Sequence, residues 1–190
     1  MTDTGGILVI CTANVCRSPM AAALLARRLS GLGVAVPVHS AGMLREGDPP
    51  HPEVIAVMAS YGISLASHRS RVVDAAGLAR ASLVLAMGRE NLRHAVITEP
   101  GAWPRTFTLR ELIRRAGRIG FRPPGETFAC WLSRAHAGRD RASLLGDCPE
   151  DDVPDPAGQP FRAYAGVASL LDQSVARLAE LGWEHAGTHP

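Results

Sequence analysis

Lysine is absent from this chain, and all 20 of its basic side chains are arginine. That absence removes Schiff-base chemistry through a lysine amine. It also removes the Walker-type phosphate loop, whose lysine reaches the terminal phosphates. Any phosphate bound here must be held by backbone amides and guanidinium groups. The four cysteines, Cys11, Cys16, Cys130 and Cys148, contain no Cys-x-x-Cys pair, so their spacing suggests neither a zinc site nor a disulfide scaffold. No metal and no cofactor is therefore expected. A run of about 18 apolar residues is missing, as is a cleavable leader pattern, so a cytoplasmic protein without a membrane segment is expected. A reducing compartment also suits a reactive thiol. The net charge of +2 is too small to suggest nucleic acid as a partner. At 190 residues and 46% apolar composition, the chain has the length and the composition for one globular domain.

The chemistry is concentrated near the start. Residues 7–10 (Ile-Leu-Val-Ile) are short, apolar and rich in β-branching, as expected for a strand buried on both faces. Cys11 ends that run. Arg17, Ser18 and Pro19 follow, and then a helical stretch over 20–29. Ser18 before Pro19 reads as a helix start, with serine as the cap and proline in the first turn. A loop between strand and helix then aims several unpaired N–H groups at one point, where the helix dipole adds positive potential. Arg17 is able to set two parallel N–H bonds on two oxygens of an anion there. The same field favours a thiolate at Cys11, and the Ser18 hydroxyl is placed to donate to it. A sulfur aimed at the centre of a bound tetrahedral oxyanion implies phosphoryl transfer through cysteine.

The segment Val9-Ile10-Cys11-Thr12-Ala13-Asn14-Val15-Cys16-Arg17-Ser18-Pro19 resembles the phosphate-binding loop of the low-molecular-weight protein tyrosine phosphatases. Further matches follow in order: Ser40-Ala41-Gly42, Gly62-Ile63, His68-Arg69-Ser70-Arg71, Val84-Leu85-Ala86-Met87 before Glu90-Asn91-Leu92, and Val153-Pro154-Asp155-Pro156. The resemblance covers roughly residues 5–100 and 150–182, and residues 101–149 exceed the usual family connection. It implies a phosphatase acting on a phosphorylated protein, phosphotyrosine first, or on a small phosphate ester. Cys11 would be the nucleophile, Arg17 the phosphate clamp, and Asp155 the acid that protonates the leaving oxygen and later activates water. Residues 12–18 (Thr12, Ala13, Asn14, Val15, Cys16, Arg17, Ser18) would bind phosphate. Asn14, Ser18, Ser40 and His68 would hold the loop in shape, Asn14 in the left-handed backbone that asparagine tolerates. Cys16 matches a cysteine that in the family forms a reversible disulfide with the nucleophile; a small apolar residue packed under the loop is the competing reading.

Two departures stand out. Ala13 replaces a glycine common in the loop, which is tolerated only at negative φ. The aromatics that usually flank the phenol are missing: Ala157-Gly158-Gln159-Pro160 follows Asp155-Pro156, and Met43, Leu44 and Arg45 follow Gly42. Trp103, Phe128, Trp131 and Phe161 are candidate replacements. Asp147, Asp151 and Asp152 are alternatives to Asp155 as the acid, but only Asp155 has a proline on each side. Two other functions remain open. A thiol-dependent arsenate reductase would need resolving cysteines after the 82–87 strand, where Cys130 and Cys148 do not fit, and both read as structural. A non-catalytic phosphate-binding module would have no need of a nucleophile or an acid.

Strands are expected over 7–11, 34–40, 82–87 and 105–108, and helices over 19–30, 52–61, 72–80, 89–97, 109–119 and 166–181. This alternation predicts an α/β fold in a single domain over 5–183, with a four-stranded parallel twisted sheet and helices on both faces, phosphotyrosine phosphatase I-like. A frayed tail is expected over 184–190. Arginines at 114, 115, 118, 122, 134, 139 and 141 read as a solvated helical elaboration or, alternatively, as a surface for an anionic substrate or partner.

Overall fold

The computed structural model describes residues 5–146 and 148–184. Strands β1 (Ile7–Ile10), β2 (Val38–Ala41), β3 (Leu83–Ala86) and β4 (Thr106–Thr108) form a parallel sheet in the order β2-β1-β3-β4. β1 and β3 are interior, so both faces of each strand are covered, which is why they consist of unbroken apolar residues. The helices are α1 (Arg17–Gly31), α2 (Pro52–Ser60), α3 (Ala75–Arg80), α4 (Arg89–Thr98), α5 (Leu109–Ile119), α6 (Phe128–His136) and α7 (Phe161–Ala179).

They cover both faces of the sheet. On one side Val9, Leu83, Leu85 and Phe107 meet Leu24 and Leu25 of α1, Leu112 of α5, Trp131 of α6 and Leu171, Val175 and Leu178 of α7. On the other, Ile10, Val84 and Ala86 meet Leu78 of α3 and Leu92 and Ala95 of α4. The parallel connections leave the carboxyl ends of the strands on one edge, and Cys11 lies there directly after β1.

Several boundaries differ from expectation. The second strand begins at Val38 because Pro37 has no N–H to donate and its carbonyl accepts from Ile7 (2.8 Å). The segment expected as a helix from 72 instead forms a parallel bridge from Val72 to Gly42, and α3 starts only after Asp74 accepts from the Gly77 amide (2.7 Å). α7 starts at Phe161, five positions earlier than expected, directly after Pro160. Glu184, expected at the start of the tail, is paired with Arg28 at 2.7 Å; residues 185–190 and Asp147 lie outside the described residues.

The arginine-dense stretch is a helical elaboration that exposes Arg114, Arg118, Arg134 and Arg141 while turning other arginines inward. It contributes α5 and α6 to the core, with Trp131 fully buried. The Arg139 guanidinium lies 3.8 Å from the ring centre of Trp103 and 4.0 Å from that of Phe107, and it forks onto both carboxylate oxygens of Glu111 (2.8 and 3.0 Å). Arg115 donates to the carbonyls of Ala135 and Ala137, Arg122 to that of Gly182, and Arg134 to Glu126 and to the Ile119 carbonyl. These side chains close carbonyls left open at helix ends, a need that residue counts do not register.

Candidate active site

The loop from Cys11 to Cys16 turns β1 into α1. Asn14 has φ 56°, the one non-glycine residue with positive φ among the described residues, and Ala13 accordingly carries its methyl without strain. Asn14 is fully buried and every one of its groups is used. Its amide donates to Cys11 Sγ (3.3 Å). Its Nδ2 donates to Ser18 Oγ and to Ser40 Oγ, 2.9 Å each, and its Oδ1 accepts from the Arg71 amide (2.9 Å). Its carbonyl lies 2.8 Å from His68 Nε2. A carbonyl only accepts, so the proton of His68 sits on Nε2. The expected supporting set of Asn14, Ser18, Ser40 and His68 is thus brought together around one asparagine.

Ser18 departs from its expected part as a helix cap but not from its expected place beside Cys11. The cap residue of α1 is Cys16, the helix begins at Arg17, and no side chain caps it. The Ser18 hydroxyl is diverted inward: it lies 3.0 Å from Cys11 Sγ and 3.3 Å from the Ala41 carbonyl. Because nothing caps the helix, among the described residues the amides of Ala13, Val15, Cys16, Arg17 and Ser18 donate to no other group of the chain. They are free donors at the start of a helix directly after Cys11, the arrangement that favours an anion.

Arg17 stands at the first position of α1. Its Nη2 lies 2.5 Å from Asp155 Oδ2 and 3.3 Å from Thr12 Oγ1, and its Nη1 donates to the Val153 carbonyl (3.3 Å). Asp155 Oδ1 accepts from the Ala157 amide (3.0 Å). The pair spans 138 positions of sequence and joins a largely buried arginine to a half-exposed carboxylate. Of the alternative acids, Asp151 is buried and paired with Arg89 and Arg114, and Asp152 accepts from the Arg89 amide (2.7 Å). Neither faces the loop as Asp155 does. Cys16 is buried, and its thiol is pushed up to about 12, by burial first and then by the charges of Asp155 and Cys11. All four cysteines are free. Cys130 is exposed on α6, so it fills no core position. Among the described residues, no group of three or more His, Cys, Asp or Glu is arranged to hold a metal ion.

Gly42 is a supporting residue whose role sequence reading missed. A Cβ there would fall 2.8 Å from the Asn14 amide nitrogen and 2.9 Å from the Ala13 carbonyl carbon and the Thr12 carbonyl oxygen. All three are backbone atoms of the phosphate loop, and the Met43 amide holds the Thr12 carbonyl at 2.7 Å. Gly42→Ala is expected to cost about 1–3 kcal/mol in a urea titration, and to lower kcat/KM about tenfold or more because the loop itself must move. Asn91 was likewise missed as a support; its Nδ2 donates to Thr12 Oγ1 (3.3 Å). Of the proposed aromatic replacements, Trp103 and Trp131 are buried and Phe128 is stacked on Trp131 and Trp183. Phe161 alone of the four is exposed, at 52%.

Residues 6–121 match the family model described as low molecular weight phosphotyrosine protein phosphatase. The probable low molecular weight protein-tyrosine-phosphatase EpsP of Ralstonia solanacearum is 38% identical over 107 residues, 56% of this chain and 71% of that protein. A protein-arginine-phosphatase of Geobacillus stearothermophilus is 32% identical over 176 residues, 92% of this chain and 93% of that protein. Among solved structures, the low molecular weight protein tyrosine phosphatase from T. tengcongensis superposes with a TM-score of 0.70 at 29% identity, covering 93% of this chain and 98% of that one.

Proposed function

The chain belongs to the low molecular weight phosphotyrosine protein phosphatase family, and on that premise we propose that it dephosphorylates proteins through a phosphocysteine on Cys11. The phosphoryl oxygens sit on the amides of residues 12–18 and on the Arg17 guanidinium. Cys11 Sγ attacks phosphorus, an S–P bond forms and the P–O bond to the leaving group breaks, while Asp155 gives its proton to the departing oxygen. Water then attacks the phosphocysteine, Asp155 takes a proton from it, and phosphate and the Cys11 thiolate are released. The observation that supports this reading most is the uncapped start of α1 directly after Cys11, with Arg17 at its first position bound to Asp155. In the resting site Arg17 holds Asp155, so substrate replaces a carboxylate oxygen on Arg17 with a phosphoryl oxygen. No helix among the described residues is long and apolar enough to cross a membrane.

Phosphotyrosine is the proposed substrate. Besides the family, the loop itself supports it: Ala13 and Val15, both half-buried, give the phosphate loop an apolar rim. A flat apolar leaving group suits such a rim better than a guanidinium, which demands polar partners. A second reading is phosphoarginine. It is favoured by the match to the arginine phosphatase, which runs through the acid loop and α7, and by the lack of a ring directly after Asp155-Pro156. Comparing kcat/KM on one protein substrate carrying phosphotyrosine or phosphoarginine decides between them. At least tenfold preference for phosphotyrosine is expected, about the discrimination of one well-filled contact. A preference for phosphoarginine overturns the tyrosine reading while leaving the phosphatase intact.

A further inference from the structure

We propose that Asp151 and Asp152 are positioning residues for this reaction, strapping the loop that carries Asp155 to α4 and α5 through Arg89, Arg110 and Arg114. The inference rests on Asp155 being the proton donor.

The strap is built from fixed points on three elements. Asp151 is buried, its side chain 1% exposed, and it receives guanidinium groups from two helices: Arg89 at the start of α4 (3.5 Å) and Arg114 in α5. Asp152 Oδ1 accepts from the Arg89 amide at 2.7 Å. It thereby caps α4, whose own cap residue Gly88 has no side chain to do so. A Cβ on Gly88 would fall 3.0 Å from that same oxygen, so the glycine makes room for the incoming carboxylate. The Asp152 carbonyl accepts from Arg110 (3.0 Å). Val153 then donates to the Met87 carbonyl just beyond β3 (2.8 Å), and its own carbonyl accepts from Arg17 (3.3 Å).

Two residues further on, between Pro154 and Pro156, stands Asp155. Proline fixes φ at 154 and 156, so few free rotations separate the strap from the acid, and the bonds of Val153 extend the strap toward it. Burial works against charge on Asp151, but the bond from Arg114 and the charges around it hold its carboxyl below the usual range. It therefore stays a carboxylate and keeps its grip on both arginines. Arg114 comes from the segment that exceeds the usual family connection, which gives that segment a part in the reaction.

Arg114 is 40% exposed, so Arg114→Gln is expected to fold, which a thermal melt checks. The test measures kcat/KM for phenyl phosphate, whose leaving group needs the proton, and for p-nitrophenyl phosphate, which needs it less. Arg114→Gln is expected to lower the phenyl phosphate value about tenfold, and the p-nitrophenyl phosphate value distinctly less. Arg114→Lys, which keeps the charge, is expected to lose less. In an Asp155→Asn background, Arg114→Gln is expected to add nothing, because its only route to the reaction is gone. Equal losses on both substrates, or losses that add in full to those of Asp155→Asn, would overturn the strap. Should Asp155→Asn itself fail to discriminate between the two substrates, the proton-donor reading falls instead, and the single variant shows which has failed.

Discussion

Cys11→Ser reduces the turnover of p-nitrophenyl phosphate by at least about 10⁴-fold, the order seen when an enzyme loses its nucleophile. The substitution is nearly isosteric, and the hydroxyl inherits the partners of the sulfur, the Asn14 amide and Ser18 Oγ. Folding and phosphate binding are therefore expected to be retained, with the loss one of chemistry. A serine hydroxyl needs an adjacent base to attack, and the groups next to Cys11 Sγ are the Asn14 backbone amide and the Ser18 hydroxyl instead. Cys16 offers no substitute: burial pushes its thiol up to about 12, so it is a thiol at neutral pH. Steady-state assays, with a melting curve to confirm the fold, check this expectation. Comparable rates in the two proteins would remove Cys11 from the mechanism.

Asp155→Ala lowers kcat about 10²–10⁴-fold, the usual share of acid–base help, with larger losses for poorer leaving groups. A second effect accompanies it. Asp155 Oδ2 occupies Arg17 Nη2 at 2.5 Å, on the guanidinium that a phosphoryl oxygen must reach. Removing the carboxylate frees Arg17 and takes a negative charge from the mouth of an anion site. Inorganic phosphate is therefore expected to become a tighter competitive inhibitor of the variant, even as turnover collapses. General damage to the site would weaken both. A loss of turnover with weaker phosphate inhibition would show that Asp155 supports the loop and does no proton transfer.

What could be read from the sequence was what local chemistry dictates. The apolar run before Cys11, the left-handed turn at Asn14 and the proline-flanked Asp155 each follow from residues a few positions apart. The central strands were legible for the same reason: β1 and β3 are buried on both faces and consist of apolar residues only. What escaped was set by partners far away in sequence. Ser18 meets Cys11 as expected, but the cap its sequence signature suggests is missing, because the same hydroxyl also reaches the Ala41 carbonyl 23 positions away. Gly42 looks ordinary just beyond β2 and becomes necessary only because a Cβ there would fall within 3 Å of the phosphate loop. Asp151 and Asp152 looked like spare acids until their partners, 62 and 63 positions away, were seen. The arginines of α5 and α6 were read as charge, whereas most of them serve as hydrogen-bond forks that end on carbonyls or on single carboxylates. Trp103 is buried under the guanidinium of Arg139, just beyond α6, which is why it is not available as a platform for substrate.

The most direct test is to catch the covalent intermediate. Rapid-quench mass spectrometry during p-nitrophenyl phosphate turnover, using Asp155→Ala to slow its breakdown by water, should find phosphate on the peptide that carries Cys11, approaching one per chain. Continued turnover with that peptide unmodified at every quench time, or with the phosphate on another side chain, would contradict the account.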